Sequence, residues 1–313
     1  MKRTTITTIF IGAIVIIIAL IIIIPWREAV VPSQESGRLT VTASFYPLAF
    51  FAQEIGGNFA DVATITPAGI EPHDYEPTTQ DLIRIEQSKL IILNGGGLEA
   101  WGDSVLQNTD PKMTKVVSAG EGLIDRQMVE GGETILDPHI WLAPMFAEKM
   151  VDAIMNGFVD VDPVNADTYR ANANILKQKL VNLDIHYRQG LKRCASDSIV
   201  TVHSAFGYLA AEYGLKQLSI TGVSPDAEPS LKQIDDLVKF VRSNNIRYIF
   251  FESLTSPKLA QVIAEETGAQ TLSLNPLEGL TKNEINAGKD YFTAMDENLA
   301  TCKSRLNARR RII

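Results

Sequence analysis

The sequence predicts an α/β protein of two lobes, each built on a mostly parallel sheet flanked by helices. Three observations predict it. Short apolar strands alternate with amphipathic helical stretches over 39–94 and again over 198–274, one long helical period separates the two series, and residues able to bind a ligand follow the ends of strands. In order, Leu39-Thr40-Val41-Thr42-Ala43-Ser44-Phe45 alternates as a strand, and Pro47 to Ile55 follows at helical spacing until Gly56-Gly57 stops it. Val62 to Ile65 reads as the next strand and Thr79 to Gln87 as a helix. Leu90-Ile91-Ile92-Leu93-Asn94 is a strand buried on both faces, ended by Gly95-Gly96-Gly97.

From Pro163 to Gly190 the pattern changes to one helix, in which Tyr169, Ala173, Leu176, Leu180, Leu183 and Tyr187 recur every three or four residues. Asp162 and Pro163 suit its N-cap and first turn. At 1.5 Å per residue such a helix is about 42 Å long, more than one lobe needs, so it reads as a bridge between two. The second series comprises a strand Ser198–Val202, helices Ala205–Tyr213 and Leu231–Asn244, a strand Tyr248–Phe251, a helix Pro257–Thr267 and a strand Thr271–Leu274. The expected division is a membrane anchor or signal segment over 1–30, a polar linker over 31–38, a first lobe over 39–160, the connecting helix over 161–190 and a second lobe over 191–313.

Net charge is −8, and the only basic run is Arg309-Arg310-Arg311, which argues against a nucleic-acid partner. Ile6 to Ile24 carries no charge and follows Lys2 and Arg3, so it reads as a membrane-crossing helix with its amino terminus inside and the rest of the chain on the outer face of the cytoplasmic membrane. The run exceeds the ~7–15 residues of a signal-peptide core, and Trp26 to Val31 offers no small-x-small cleavage site, which favours an uncleaved anchor over a signal peptide. Cys194 and Cys302 lie far from this run, excluding a lipid-modified amino-terminal cysteine. They either pair as a disulfide or remain thiols.

The chain has four histidines. Three occupy segments bounded by proline, glycine or a strand end: Glu71-Pro72-His73-Asp74, Asp137-Pro138-His139-Ile140-Trp141 and Thr201-Val202-His203-Ser204. His186, on the long helix, reads as an ordinary surface or packing residue. His203 directly follows a strand, and Glu278 in Asn275-Pro276-Leu277-Glu278-Gly279-Leu280 lies just past another. Each histidine alone has an ordinary reading as a polar residue at a strand end. Together, three imidazoles and a carboxylate make a tetrahedral donor set for zinc, at the sheet edge where α/β proteins bind ligands. Asp74, Asp137, Glu228 and Glu252 stand near the motifs, either to accept the second imidazole nitrogens or as ordinary caps and surface charges.

With those residues placed, the sequence resembles the solute-binding proteins of the zinc and manganese class of ABC importers, which include the streptococcal zinc lipoproteins. The resemblance runs from about Leu39 to the end of the chain. It rests on Glu71-Pro72-His73-Asp74-Tyr75-Glu76-Pro77, Asp137-Pro138-His139-Ile140-Trp141-Leu142, His203-Ser204-Ala205-Phe206-Gly207-Tyr208-Leu209, Ser224-Pro225-Asp226-Ala227-Glu228-Pro229-Ser230 and Asn275-Pro276-Leu277-Glu278-Gly279-Leu280-Thr281. It implies two α/β lobes joined by one rigid helix, a metal ion in the cleft between them, and delivery of that ion to a membrane permease with its cytoplasmic ATPase. It implies a binding protein, not an enzyme, and a monomer.

Carried over by position, the resemblance puts the ligands at His73, His139 and His203. Many members use an aspartate where this chain has Asn275, whereas zinc-binding members with Asn-Pro-Leu-Glu use the glutamate, here Glu278. Three imidazoles and one carboxylate suit Zn2+ better than Mn2+, which prefers more oxygen. Many zinc members also carry a long His-rich loop between the first two ligands, and 110–137 contains no histidine, so Mn2+ or another divalent ion stays open. A secreted zinc hydrolase is the rival class, against which stand the lack of His-Glu-x-x-His and a glutamate where water would bind. An adhesin is a third reading, which no surface patch in the sequence supports or excludes. Release of the ion is expected either by retreat of the Glu278 loop or by protonation of a ligand.

Overall fold

The computed structural model describes residues 37–306 apart from 131, 193, 195–196 and 226–228. The expected anchor, positions 31–36 of the linker, Glu228 and the Arg309-Arg310-Arg311 run lie outside the described residues, among which no helix is long and apolar enough to cross a membrane.

Four strands, β1 (Leu39–Ala43), β2 (Ala60–Thr64), β3 (Leu90–Leu93) and β4 (Lys115–Ser118), form a parallel sheet in the order β2-β1-β3-β4. Helices α1 (Tyr46–Gly56), α2 (Thr79–Gln87) and α3 (Gly102–Asn108) connect them. Every residue of β3 is buried, as its unbroken apolar run requires. A hairpin, β5 (Gln127–Glu130) and β6 (Glu133–Leu136), then leads into α4 (Pro144–Val161) and α5 (Ala166–Leu191).

The second sheet takes β7 (Ser198–Thr201), β8 (Lys216–Ser219), β9 (Tyr248–Phe251) and β10 (Gln270–Ser273) in the order β10-β9-β7-β8, again all parallel. Its helices are α6 (Gly207–Glu212), α7 (Leu231–Ser243), α8 (Lys258–Thr267), α9 (Lys282–Asn286) and α10 (Tyr291–Leu306). Counted from its own first strand, each sheet reads 2-1-3-4, so the chain turns in opposite directions from the central pairs β1/β3 and β7/β9. A crevice opens at the carboxyl ends of such pairs.

One buried apolar cluster joins Val41 and Ile92 of the first sheet, Tyr169, Leu176, Leu180 and Tyr187 of α5, Ile199 and Phe250 of the second sheet, and Leu274 just past β10. Every member of the expected α5 periodic set is buried, and the helix packs on α1, α4 and α10. Separate clusters cover the other faces: Ile65, Ile91 and Leu93 with Ile85 of α2, and Val200 and Ile249 with Leu237 of α7 and Ile263 of α8.

Several boundaries differ from expectation. Residues 163–165 form a 3-10 turn and α5 starts at Ala166; the Asp162 carboxylate accepts from Asn165 Nδ2 (2.7 Å) and Tyr169 Oη (2.6 Å), not from a backbone N–H. The helix expected from Ala205 starts at Gly207. Helix α4 is absent from the expected set, although its buried Ala147, Met150, Val151, Ile154 and Phe158 follow the helical period. His186 is more than half exposed on α5, so of its surface and packing readings the first holds, and Cys194 and Cys302 are free thiols.

Candidate metal centre

The histidine loops share one construction. In Glu71-Pro72-His73 the His73 backbone N–H donates to the Glu71 carboxylate at 3.0 Å, and in Asp137-Pro138-His139 the His139 N–H donates to Asp137 Oδ1 at 3.1 Å. Proline fixes the middle of the turn, so an acid two residues before the histidine closes it. His203, two residues past β7, donates its N–H to Glu252 Oε1 at 3.3 Å, and Glu252 directly follows β9. His203 and Glu252 thus meet above the central pair β7/β9, where the chain reverses direction.

Glu278 is delivered by a constrained turn. Asn275 Oδ1 accepts the Leu277 N–H at 2.7 Å and Leu277 adopts φ 55°, a left-handed conformation uncommon for a leucine. Burial of Leu277 and bonds between Asn275 and Asn298 (2.9 and 2.6 Å) hold it there. Asn275 therefore shapes the loop with its side chain while Glu278 faces the histidines. Trp141 ties the two motifs together: its Nε1 donates to Pro276 O at 2.8 Å, and its own carbonyl accepts from Tyr291 Oη at 2.6 Å. Trp141 and Tyr291 had no role in the sequence reading, though Trp141 lies in the motif that contains His139.

The four expected residues converge. His73 Nε2 and His203 Nε2 lie 3.2 and 3.4 Å from His139 Nε2, and Glu278 Oε1 lies 3.1 Å from His139 Nε2, 3.1 Å from His203 Nε2 and 3.6 Å from His73 Nε2. All four donor atoms fall within 4.8 Å of one another. A tetrahedron with bonds of 2.0–2.1 Å has edges of about 3.3 Å, so these separations suit one small ion. His139, His203 and Glu278 are buried, and only His73 keeps some exposure, 8% of its side chain.

Charges behind the donors set their basicity. Burial pulls the His139 pKa down, but hydrogen bonds to Asp137 and Glu278 raise it overall; burial likewise opposes His203, which the Glu252 and Glu278 charges push well above its ordinary value. Glu278 is held far below its usual range, burial being overridden by His203 and by the hydrogen bonds from all three imidazoles. His73 is lowered by burial, and burial beside Glu278 pushes Glu71 up to about 8. Of the four carboxylates considered for the outer nitrogens, Asp137 Oδ1 meets His139 Nδ1 at 2.8 Å and Glu252 Oε1 meets His203 Nδ1 at 2.7 Å. The second contact is close but out of line for a hydrogen bond. Asp74 is exposed, its backbone N–H turned to Glu71. The sequence reading missed Glu71, which the acid-Pro-His repeat at 71–73 and 137–139 would have revealed.

Two parallel sheets with a His3Glu cluster beyond their strands define an α/β protein with a candidate metal centre. Residues 41–304 match the family described as zinc-uptake complex component A, periplasmic (ZnuA), and the chain belongs to that family. It is 38% identical over 287 residues to the zinc-binding protein AdcA of Streptococcus pyogenes serotype M18, covering 85% of this chain but 56% of the relative, so it spans little more than half the length of that protein. It is 36% identical over 283 residues to the high-affinity zinc uptake system protein ZnuA of Bacillus subtilis strain 168, covering 86% and 88% of the two chains. The crystal structure of the Zn(II)-bound ZnuA-like domain of Streptococcus pneumoniae AdcA superposes with a TM-score of 0.76 at 37% identity, covering 87% of this chain and all of that one.

Proposed function

We propose that this protein captures Zn2+ outside the cytoplasmic membrane through His73, His139, His203 and Glu278 and hands it to an ABC importer, a membrane permease with its cytoplasmic ATPase. The observation that carries this reading is the mutual spacing of the four donor atoms, 3.1–3.6 Å along every measured edge that joins His139 or Glu278 to another donor. Zinc is preferred over manganese because the set is nitrogen-rich and four-membered. The names of the relatives agree. A carrier role fits better than a hydrolase: Glu278 takes the position a reactive water would need, and the other nearby acids are engaged in holding histidines.

The carrier works as a monomer of two lobes, 39–160 and 191–313, joined over 161–190 by a connecting segment in which the turn 163–165 leads into the rigid helix α5. The shared 2-1-3-4 strand order and the buried face of α5 support this division. The uncharged run Ile6–Ile24 holds the protein to the outer face of the membrane.

Entry and release occur on the His73 side. His73 is the least buried donor, whereas the Glu278 loop is tied down by Trp141 and Asn298. Movement of the His73 loop opens the site with less disruption than retreat of Glu278. Titration with Zn2+ in competition with a chelator should give one tight site that is lost in His73→Ala and in His139→Ala; wild-type affinity in both variants would overturn the assignment.

A further inference from the structure

Arg126 sits at the base of the β5–β6 hairpin, opposite Asp137, whose backbone N–H donates to Arg126 O at 2.9 Å. Asp137 is fully buried, and its two oxygens divide their work. Oδ1 holds the His139 backbone and ring, while Oδ2 has no aligned hydrogen bond and lies 3.3 Å from Arg126 Nε. A buried carboxylate requires a charged or donating partner. Arg126 reaches in from the surface to provide it.

The far wall of this contact comes from the other half of the chain. Tyr208 Oη accepts the backbone N–H groups of Asp125 (3.0 Å) and Arg126 (2.9 Å). Its neighbour Gly207, four residues past His203, presses directly on the pair: a Cβ added there would lie 2.5 Å from Asp137 Oδ2 and closer still to Arg126 Nε. Glycine is required because the space belongs to the guanidinium and the carboxylate.

We propose that Arg126, seated against Gly207 and Tyr208, is a positioning residue for metal binding: it fixes Asp137 and through it the ring of His139, and its seat exists only when α6 meets the hairpin base. The inference rests on His139 being a ligand. Arg126 touches no donor atom of the site, so its effect passes through Asp137.

The test compares full-length wild type with Arg126→Ala, Arg126→Lys, Gly207→Ala, the Arg126→Ala/Gly207→Ala double variant and His139→Ala. Zn2+ affinity is measured by chelator competition, and the visible absorption of the Co2+-loaded proteins reports ligand geometry. Arg126→Ala should weaken Zn2+ binding about 10- to 100-fold, as removal of an outer support does at metal sites, and should alter the Co2+ bands. Arg126→Lys should recover most of the affinity, and the double variant should bind no worse than Gly207→Ala alone.

Wild-type affinity and an unchanged Co2+ spectrum in Arg126→Ala overturn the inference, provided His139→Ala abolishes binding. Wild-type affinity in His139→Ala overturns the site reading itself. Losses that multiply in the double variant overturn the shared seat. If Gly207→Ala fails to fold, the Arg126 variants alone decide.

Discussion

The two sheets have the same strand order but use the same place differently. Above β7/β9, residues just beyond the strands bring together His203 and Glu252, a candidate metal donor and the acid beside it. Above β1/β3, the residues directly after the strands are Ser44 and Asn94, and the acid there is Glu99, which accepts from Ser44 Oγ, Asn94 N (2.7 Å) and Gly95 N (3.1 Å). No imidazole sits on Glu99. Asn94 Nδ2 instead donates to Pro138 O at 3.0 Å, so this crevice braces the His139 loop from below. The first half supplies its histidines from loops after β2 and β6. Topology dictates where a crevice forms, and the residues placed there decide whether it holds the ion or supports a loop that does.

Substitutions at the two crevices sharpen this contrast. His203→Ala should cost about 100- to 1,000-fold in Zn2+ affinity, about a quarter of the binding free energy typical of a four-ligand site, whereas Ser44→Ala at the first crevice should stay within about 3-fold. Equal losses in a chelator-competition assay would erase the distinction.

Glu252→Gln should weaken binding about 10- to 100-fold. Glu99→Gln should instead reduce thermal stability, by about 1–3 kcal/mol for disturbing a buried hydrogen-bonded acid, with little change in affinity. A Glu99→Gln variant that melts like wild type but binds poorly would reverse the roles assigned here.

The pH dependence separates donors from their supports. His139 and His203 are raised by their acids and hold protons that the ion must displace, so affinity should fall steadily from pH 7.5 to 5.5. Without metal, these raised histidines stabilise the fold fully below pH ~6.5 and lose that contribution as pH rises through their folded values. Glu71 acts in the same direction: raised to about 8, it contributes fully below the ordinary carboxylate range and loses that contribution as pH climbs towards about 8. His73, lowered by burial, opposes them only at the acid end. The metal-free protein should therefore melt ~2–5 °C lower at pH 8 than at pH 6.5, judged by calorimetry. A metal-free Tm that rises across this interval would refute the charge assignment.

A smaller loss concerns the strut between the halves. Trp141→Phe keeps most of the ring but loses the bond to Pro276 O, and should cost about 1 kcal/mol and roughly 5-fold in affinity. An affinity loss as large as that of His203→Ala would make the Trp141–Pro276 bond as important to the site's geometry as a donor side chain.

The sequence by itself determined the strand-helix alternation, the α5 face and the three histidines of the candidate site, because these depend on local period and on side chains that proline and strand ends hold in place. Its own residues pointed to three histidines and a carboxylate, and the resemblance chose Glu278 over Asn275. Helix α4 was legible in its apolar period even though it was not assigned. Only the tertiary structure decided which acid stands behind which histidine. Asp137 is two residues from His139 and visible as such, but Glu252 is 49 residues from His203, and only the pairing of β7 with β9 brings them together. The same holds for Arg126 against Gly207 and for Trp141 against Pro276. These contacts connect segments remote in the chain, so no local pattern encodes them, and they form only when packing fixes the geometry.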